Sequence, residues 1–243
     1  MRILLTISYD GTLFYGYQVQ PNKRTVQLEL ENALKAVTGK DIKTVASGRT
    51  DSGVHALNQK VHFDYDGTIP VKNFVNALNS VLPEDLRVKK AQKVKSDFSA
   101  RYSAKTKTYL YRCYLDKIEN PLLSRYVHTI KYEIDVSKVK ECASVLVGEH
   151  DFKCFLASGS SVKNTVRTIC EIKVKKSGKH LDFYVTGNGF LYNMVRTLVG
   201  TLLEAGYKKI DKQKILELLK TGDRNLCGKT MPAKALRLIK VEY

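Results

Sequence analysis

Thr25-Val26-Gln27-Leu28-Glu29-Leu30-Glu31-Asn32-Ala33-Leu34-Lys35-Ala36-Val37-Thr38-Gly39 is the stretch on which the fold turns. Val26, Leu30, Ala33, Leu34 and Val37 recur at helical spacing, so one stripe is apolar and the remainder polar. Thr25 is a capping residue just ahead of that stripe, and Gly39 is a stop just after it. Working outward, residues 2–9 are a short apolar run that reads as a buried strand, and residues 41–46 read as a second strand. Val61, Phe63 and Tyr65 alternate with polar residues, which predicts a third strand. Phe74, Val75, Leu78, Val81 and Leu82 predict a second helix stopped by Pro83, and 86–94 a last strand. The order is β-α-β-β-α-β, the ferredoxin-like plan.

The second half repeats this order with one helix added. Residues 106–115 are a Tyr-rich strand, and Ser137 is the expected cap of a helix carrying Val139, Cys142, Ala143, Leu146 and Val147, closed by Gly148. Strands near 167–175 and 180–186 form a hairpin through Lys176-Ser177-Gly178-Lys179. A helix through Leu191, Met194, Val195, Leu198, Val199 and Leu202 ends at Gly206, a shorter one starts near Asp211, and 236–242 is the closing strand. The expected class is α+β: two ferredoxin-like (RRM-like) halves, residues 1–103 and 104–243, with mostly antiparallel sheets around a basic central cleft. That plan hosts many functions and names none of them.

Composition narrows the partners. Lys and Arg total 41 against 24 Asp and Glu, a formal charge of +17. Such a surplus favours a polyanion. Nucleic acid suits it better than a membrane, because no segment pairs a basic face with an apolar one. No apolar run reaches the about 20 residues a bilayer span takes. The first ten residues are apolar too briefly for a signal peptide. Cys113, Cys142, Cys154, Cys170 and Cys227 are an odd, scattered set, read as reduced thiols in a cytoplasmic protein. His55, His62, His128, His150 and His180 are scattered as well, with no zinc spacing and no phosphate-binding loop, so metal and nucleotide cofactors find no support.

Gly48-Arg49-Thr50-Asp51-Ser52-Gly53-Val54-His55 places one carboxylate between two glycines, with a guanidinium two residues before it. Gly48 and Gly53 permit backbone angles closed to other residues and a close approach of substrate. Arg49 brings a charge suited to a phosphate or a base stack. The residue types fit a catalytic loop, yet a Gly-flanked Asp is more often a plain turn. Lys105, Lys107, Lys173, Lys175, Lys176 and Lys179 cluster near the strands of the second half, as phosphate contacts or as a solvated face.

Taken with Ala56, that loop resembles the active-site loop of the TruA class of tRNA pseudouridine synthases, the pseudouridine(38–40) synthases. The resemblance runs through the whole chain. It includes Asp10-Gly11-Thr12 with Phe14-Tyr15-Gly16-Tyr17-Gln18, then Thr25-Val26-Gln27, and then Phe98-Ser99-Ala100-Arg101 with Lys107-Thr108-Tyr109-Leu110-Tyr111. It ends with Gly189-Phe190-Leu191-Tyr192-Asn193-Met194-Val195-Arg196. Two departures stand out. Tyr17 replaces the family's usual Trp, and Met231-Pro232-Ala233-Lys234-Ala235-Leu236 has Ala235 where Gly is usual.

The resemblance implies an isomerase that needs no cofactor. It acts on uridines at positions 38, 39 and 40 of the tRNA anticodon stem-loop, and it works as a homodimer. It implies Asp51 as the essential carboxylate and Arg196 as the guanidinium that keeps it ionised. Tyr109 is the implied stacking surface for a flipped base, Arg49 the occupant of the vacated space or a phosphate ligand, and Leu191 an apolar pocket wall. Structural alternatives exist for each: a core-facing tyrosine at 109, a loop ion pair at 49, a surface helix residue at 196, ordinary core at 191. Two rival functions also fit part of the sequence. A non-catalytic pair of RRM-like halves explains the charge, but the aromatic RNP stretches of such a module are missing. A hydrolase using Asp51 and water would call for a second carboxylate or a metal set.

Overall fold

The computed structural model describes residues 1–157, 159 and 162–243. By contact they group into two units, Met1–Lys105 with Arg237–Tyr243, and Thr106–Leu236. Mostly antiparallel strands alternate with five α-helices among the described residues.

The first unit runs β1 (Arg2–Tyr9), α1 (Val26–Thr38), β2 (Val45–Ala46), β3 (His55–Asp64), α2 (Phe74–Asn79) and β4 (Leu86–Val94). β1 lies between β4 and β3, antiparallel to both, with Ile3 opposite Phe63 and Leu5 opposite Val61. β2 pairs with β3 through Val45–His62. The strand expected at 41–46 is thus only its last two residues. α1 has the expected ends. Thr25 Oγ1 accepts from the Leu28 N–H at 3.3 Å, and Gly39 takes a left-handed φ of 71°. Val26, Leu30 and Leu34 are fully buried, which is what their spacing calls for. Phe74 of α2 meets the rings of Phe63 and Tyr65 edge-on, at 5.6 and 5.1 Å.

The chain after β4 folds back on β1 and β3 at Arg2 and His62. Arg2 Nη1 donates to the Phe98 carbonyl at 2.8 Å, and the Ala100 N–H donates to His62 Nδ1 at 3.0 Å. Phe98 also packs on Tyr243, whose hydroxyl donates to the Ala100 carbonyl at 3.1 Å. The Phe98-Ser99-Ala100-Arg101 motif is therefore a packing device in this unit.

The second unit runs β5 (Thr106–Leu115), β6 (His128–Ile130), α3 (Val136–Ser144), β7 (Gly148–Asp151), β8 (Val166–Ser177), β9 (His180–Gly187), α4 (Met194–Gly206) and α5 (Lys212–Thr221). β9 pairs antiparallel with β5 and β8, β7 with β8, and β6 runs parallel to the end of β5. Tyr111, Phe183 and Val185 point from β5 and β9 into a core completed by Leu198, Val199 and Leu202 of α4, all fully buried. The cap of α3 is Asp135, not Ser137, because the Asp135 carboxylate accepts from the N–H groups of both Ser137 and Lys138. Asp211 caps α5 in the same manner. The last strand, β10 (Leu236–Glu242), belongs from Arg237 onward to the first unit, where it pairs parallel with β3, Arg237 opposite His55 and Leu238 opposite Ala56. Among the described residues no helix is long and apolar enough to cross a membrane.

Candidate active site

Asp51 sits on the loop between β2 and β3, and the loop is tied down on both sides. Before it, the Gly48 carbonyl accepts from Gln59 Nε2 at 2.8 Å, and Gln59 Oε1 accepts from Ser47 Oγ at 2.5 Å. Gln59 is fully buried. Thr50 and Tyr9 share a hydroxyl–hydroxyl bond of 2.8 Å, and the Thr50 carbonyl accepts from the Tyr17 N–H at 3.0 Å. After it, the Val54 N–H donates to the Asp51 carbonyl at 3.1 Å, closing a four-residue turn with Gly53 third at φ +77°. A positive φ at that position is the demand of a type II turn. Gly48 takes no such angle, so of the two flanking glycines only Gly53 uses its freedom.

A second glycine is held against the loop by space. Gly16 has φ +82°, and a Cβ built there would lie 2.9 Å from the Thr50 carbonyl oxygen and 3.3 Å from the Asp51 carbonyl carbon. The 14–17 segment is thereby the template on which the carboxylate is set. Asp51 itself is half-buried and Arg49 is exposed.

The loop's other neighbour was not marked as a site by the sequence. His55 is buried, and its Nδ1 lies 3.0 Å from both the Gly11 N–H nitrogen and Asp10 Oδ1. Asp10 Oδ1 also accepts from the Thr12 N–H at 3.0 Å. The available signal was Asp10-Gly11-Thr12, read above only as a motif.

The remaining expected site residues belong to the second unit. Arg196, on the first turn of α4, is half-buried and clamped. Its Nε donates to the Met231 carbonyl at 2.6 Å and its Nη1 to Asn193 Oδ1 at 2.5 Å. Asn193 precedes α4 in a left-handed conformation, φ 60°. A short polar side chain tolerates that region better than most. Leu191 is buried where the chain turns into the helix, its carbonyl accepting from the Met194 N–H at 3.1 Å. Tyr109 is 8% exposed, and its ring stands edge-on to Phe190 at 5.2 Å and 87°. Tyr111, two residues on, is the core tyrosine, fully buried with its hydroxyl donating to the Pro232 carbonyl at 3.1 Å. Of the lysine clusters, Lys179 is committed to Asp116 at 2.6 Å. Among the described residues no three of His, Cys, Asp and Glu gather as a metal site requires.

The sequence profile of a family described as tRNA pseudouridine synthase matches residues 5–103 and 142–243. The chain belongs to that family. The matched segments contain Arg49, Asp51, Leu191 and Arg196, while Tyr109 falls between them. The tRNA pseudouridine synthase A of Caldicellulosiruptor saccharolyticus is 45% identical over 242 residues, all of this chain and 99% of the relative. That of Bacillus subtilis is 46% identical over 245 residues with the same coverage. A crystal structure of a Cbf5-Nop10-Gar1 complex aligns with 97% of this chain and 57% of its own, at 13% identity and a TM-score of 0.39, too distant to carry an argument.

Proposed function

We propose that this chain isomerises uridine to pseudouridine at positions 38, 39 and 40 of the tRNA anticodon stem-loop, with Asp51 as its essential carboxylate. Membership of the tRNA pseudouridine synthase family carries this reading. The reaction breaks the bond from C1′ to N1, turns the base and joins C5 to C1′. The C5 proton leaves and N1 gains one, so no atom and no electron is exchanged with a cofactor. Positive charge grows at C1′ as the bond breaks, and an ionised carboxylate stabilises or captures it. The same group is suited to taking the C5 proton. Either role asks for a carboxylate in fixed position, and the hydrogen bonds that tie down the loop support that reading.

The base has to leave its stack to reach Asp51, at a cost of a few kcal/mol. An aromatic face offsets about 1–3 kcal/mol of that, and Tyr109 is our candidate for it. Leu191 would wall the base, Arg49 would fill the vacated space or hold a phosphate, and Arg196 would keep Asp51 ionised, as a neighbouring cation does. The clamp of Arg196 by Met231 and Asn193 supports a role that needs a fixed guanidinium. We further propose that each half is ferredoxin-like, 1–103 and 104–243. In support, β1 lies between β4 and β3 in the first unit, and β2 and β10 both pair with β3. In the second unit β5, α3, β8, β9 and α4 follow in the same order, with the short β6 and β7 between them. A cytoplasmic homodimer gripping the anticodon arm completes the proposal, and light scattering tests the dimer. Unmodified tRNA transcripts incubated with the protein and mapped for pseudouridine test the activity. Modification confined to positions 38–40 is expected. Modification elsewhere would overturn the site preference, and none at all would overturn the function.

A further inference from the structure

Two thiols that the chemistry above does not use lie against each other in the second unit. Cys154 is fully buried in the short 3-10 turn Lys153–Phe155, and Cys227 is half-buried just after a second such turn, Arg224–Leu226. The Cys227 thiol donates to the Cys154 carbonyl at 3.3 Å. They are 73 residues apart in sequence, so the fold alone makes them neighbours.

The surroundings divide the labour between them. The adjoining Cys154 thiol and the nearby Arg224 guanidinium draw the Cys227 thiol below its ordinary range. The neighbouring Cys227 thiol and burial push Cys154 above its own. A lowered, accessible thiol is the nucleophile of such a pair, and a buried neighbour in contact is the resolving partner. Cys170 is the exposed thiol, and Cys113 and Cys142 are buried elsewhere.

We propose that Cys227 and Cys154 form a hydroperoxide-reactive pair that closes reversibly into a disulfide. The Cys227 thiolate attacks the distal peroxide oxygen, the O–O bond breaks, and the alkoxide or hydroxide leaves with a proton as alcohol or water. Cys227 is then a sulfenic acid. The Cys154 sulfur displaces its hydroxyl, which departs as water with the Cys154 proton, and the S–S bond forms. Two thiols give up two electrons, and the peroxide accepts them. An external dithiol reverses the step by exchange. The bond would lock the Lys153–Phe155 turn to the segment that leads to Met231. That segment is already sewn to α4 by Gly228 N–H to Thr201 Oγ1 at 2.9 Å and by the Thr197–Thr230 hydroxyl pair at 3.0 Å.

The test treats the purified full chain with hydrogen peroxide, blocks remaining thiols under denaturing conditions, and maps peptides by mass. Expected are two thiols lost together, a chain lighter by about 2 Da, and one cross-linked peptide joining Cys154 to Cys227, all reversed by dithiothreitol. Cys227→Ser should abolish the cross-link. Cys154→Ala should leave a sulfenic acid at Cys227 that a cyclic 1,3-diketone traps. The wild-type map stands even if either variant folds poorly. Cys154 and Cys227 both still blocked as free thiols, while Cys170 oxidises, would overturn the proposal. So would Cys227 passing to sulfinic acid with Cys154 still reduced. Neither result depends on tRNA, so the isomerase reading and this one fail separately.

Discussion

Replacing Gly16 by Ala should slow catalysis while leaving most of the fold intact, and replacing Gly39 by Ala should not. Both glycines are left-handed, at φ +82° and +71°. An L-residue there costs about 1–2 kcal/mol, so both variants should lose that much stability. They differ in what the new methyl meets. At Gly39 nothing lies within 4 Å. At Gly16 the Cβ would be 2.9 Å from the Thr50 carbonyl oxygen, which is itself bonded to the Tyr17 N–H. Ordinary contact requires the Thr50–Asp51 backbone to retreat by roughly half an ångström, about the tolerance of a working site. A misplacement of about 1 Å can cost about a hundredfold, so about tenfold is expected here. Urea unfolding gives the stability of each variant, and single-turnover pseudouridine formation on one tRNA transcript gives the rate. Equal rates for the two variants, corrected for folded fraction, would refute the idea that the 14–17 segment sets the catalytic loop.

Other outcomes follow from the same structure. Tyr109→Phe keeps the ring packed on Phe190 and should retain clearly more single-turnover activity than Tyr109→Leu, which should lose about 1–3 kcal/mol of base placement. Equal large losses of about 10²–10⁴-fold would assign the hydroxyl a proton-transfer role instead. Binding of tRNA should weaken steeply between low and moderate salt, since the +17 charge implies released counterions; a flat response would detach the charge from RNA binding. His62 is held below the ordinary imidazole range by burial, and its Nδ1 accepts from the Ala100 N–H. Its stabilising contribution is full above pH ~6.5 and is lost as pH falls through its lowered folded value. The wild type should therefore lose stability relative to His62→Asn, which keeps an acceptor and does not titrate, as pH falls from 7 to 5.5 in unfolding measurements. Parallel curves would refute this.

What the sequence disclosed depended on how local each signal was. α1 was legible to the residue because its stripe, its Thr25 cap and its Gly39 stop all lie within one segment. α3 was placed two residues late, since Asp135 and Ser137 are both capping types and only geometry tells which one reaches the free N–H groups. β6 and β7 were not read at all. Three or four residues carry no period, and their pairing to β5 and β8 is decided by the tertiary fold. The Asp51 loop stood out by composition, but its rigidity comes from Gln59, Tyr9 and Gly16, none of which announces that role. The Arg196 clamp was equally hidden, because a backbone carbonyl 35 residues away has no signature in sequence. Tyr17 is buried, and burial pushes its phenol above the ordinary tyrosine range.

The most direct measurement is single-turnover pseudouridine formation by Asp51→Asn, with enzyme in excess over one tRNA transcript and binding measured alongside. Asn keeps the shape of the side chain and the turn from its carbonyl to Val54, but it cannot stabilise or capture a cation at C1′. The expected result is binding within a few-fold of wild type and a rate below about a thousandth of it, a barrier raised by about 4 kcal/mol or more. A rate above that level with binding intact would contradict the assignment of Asp51 as the essential carboxylate.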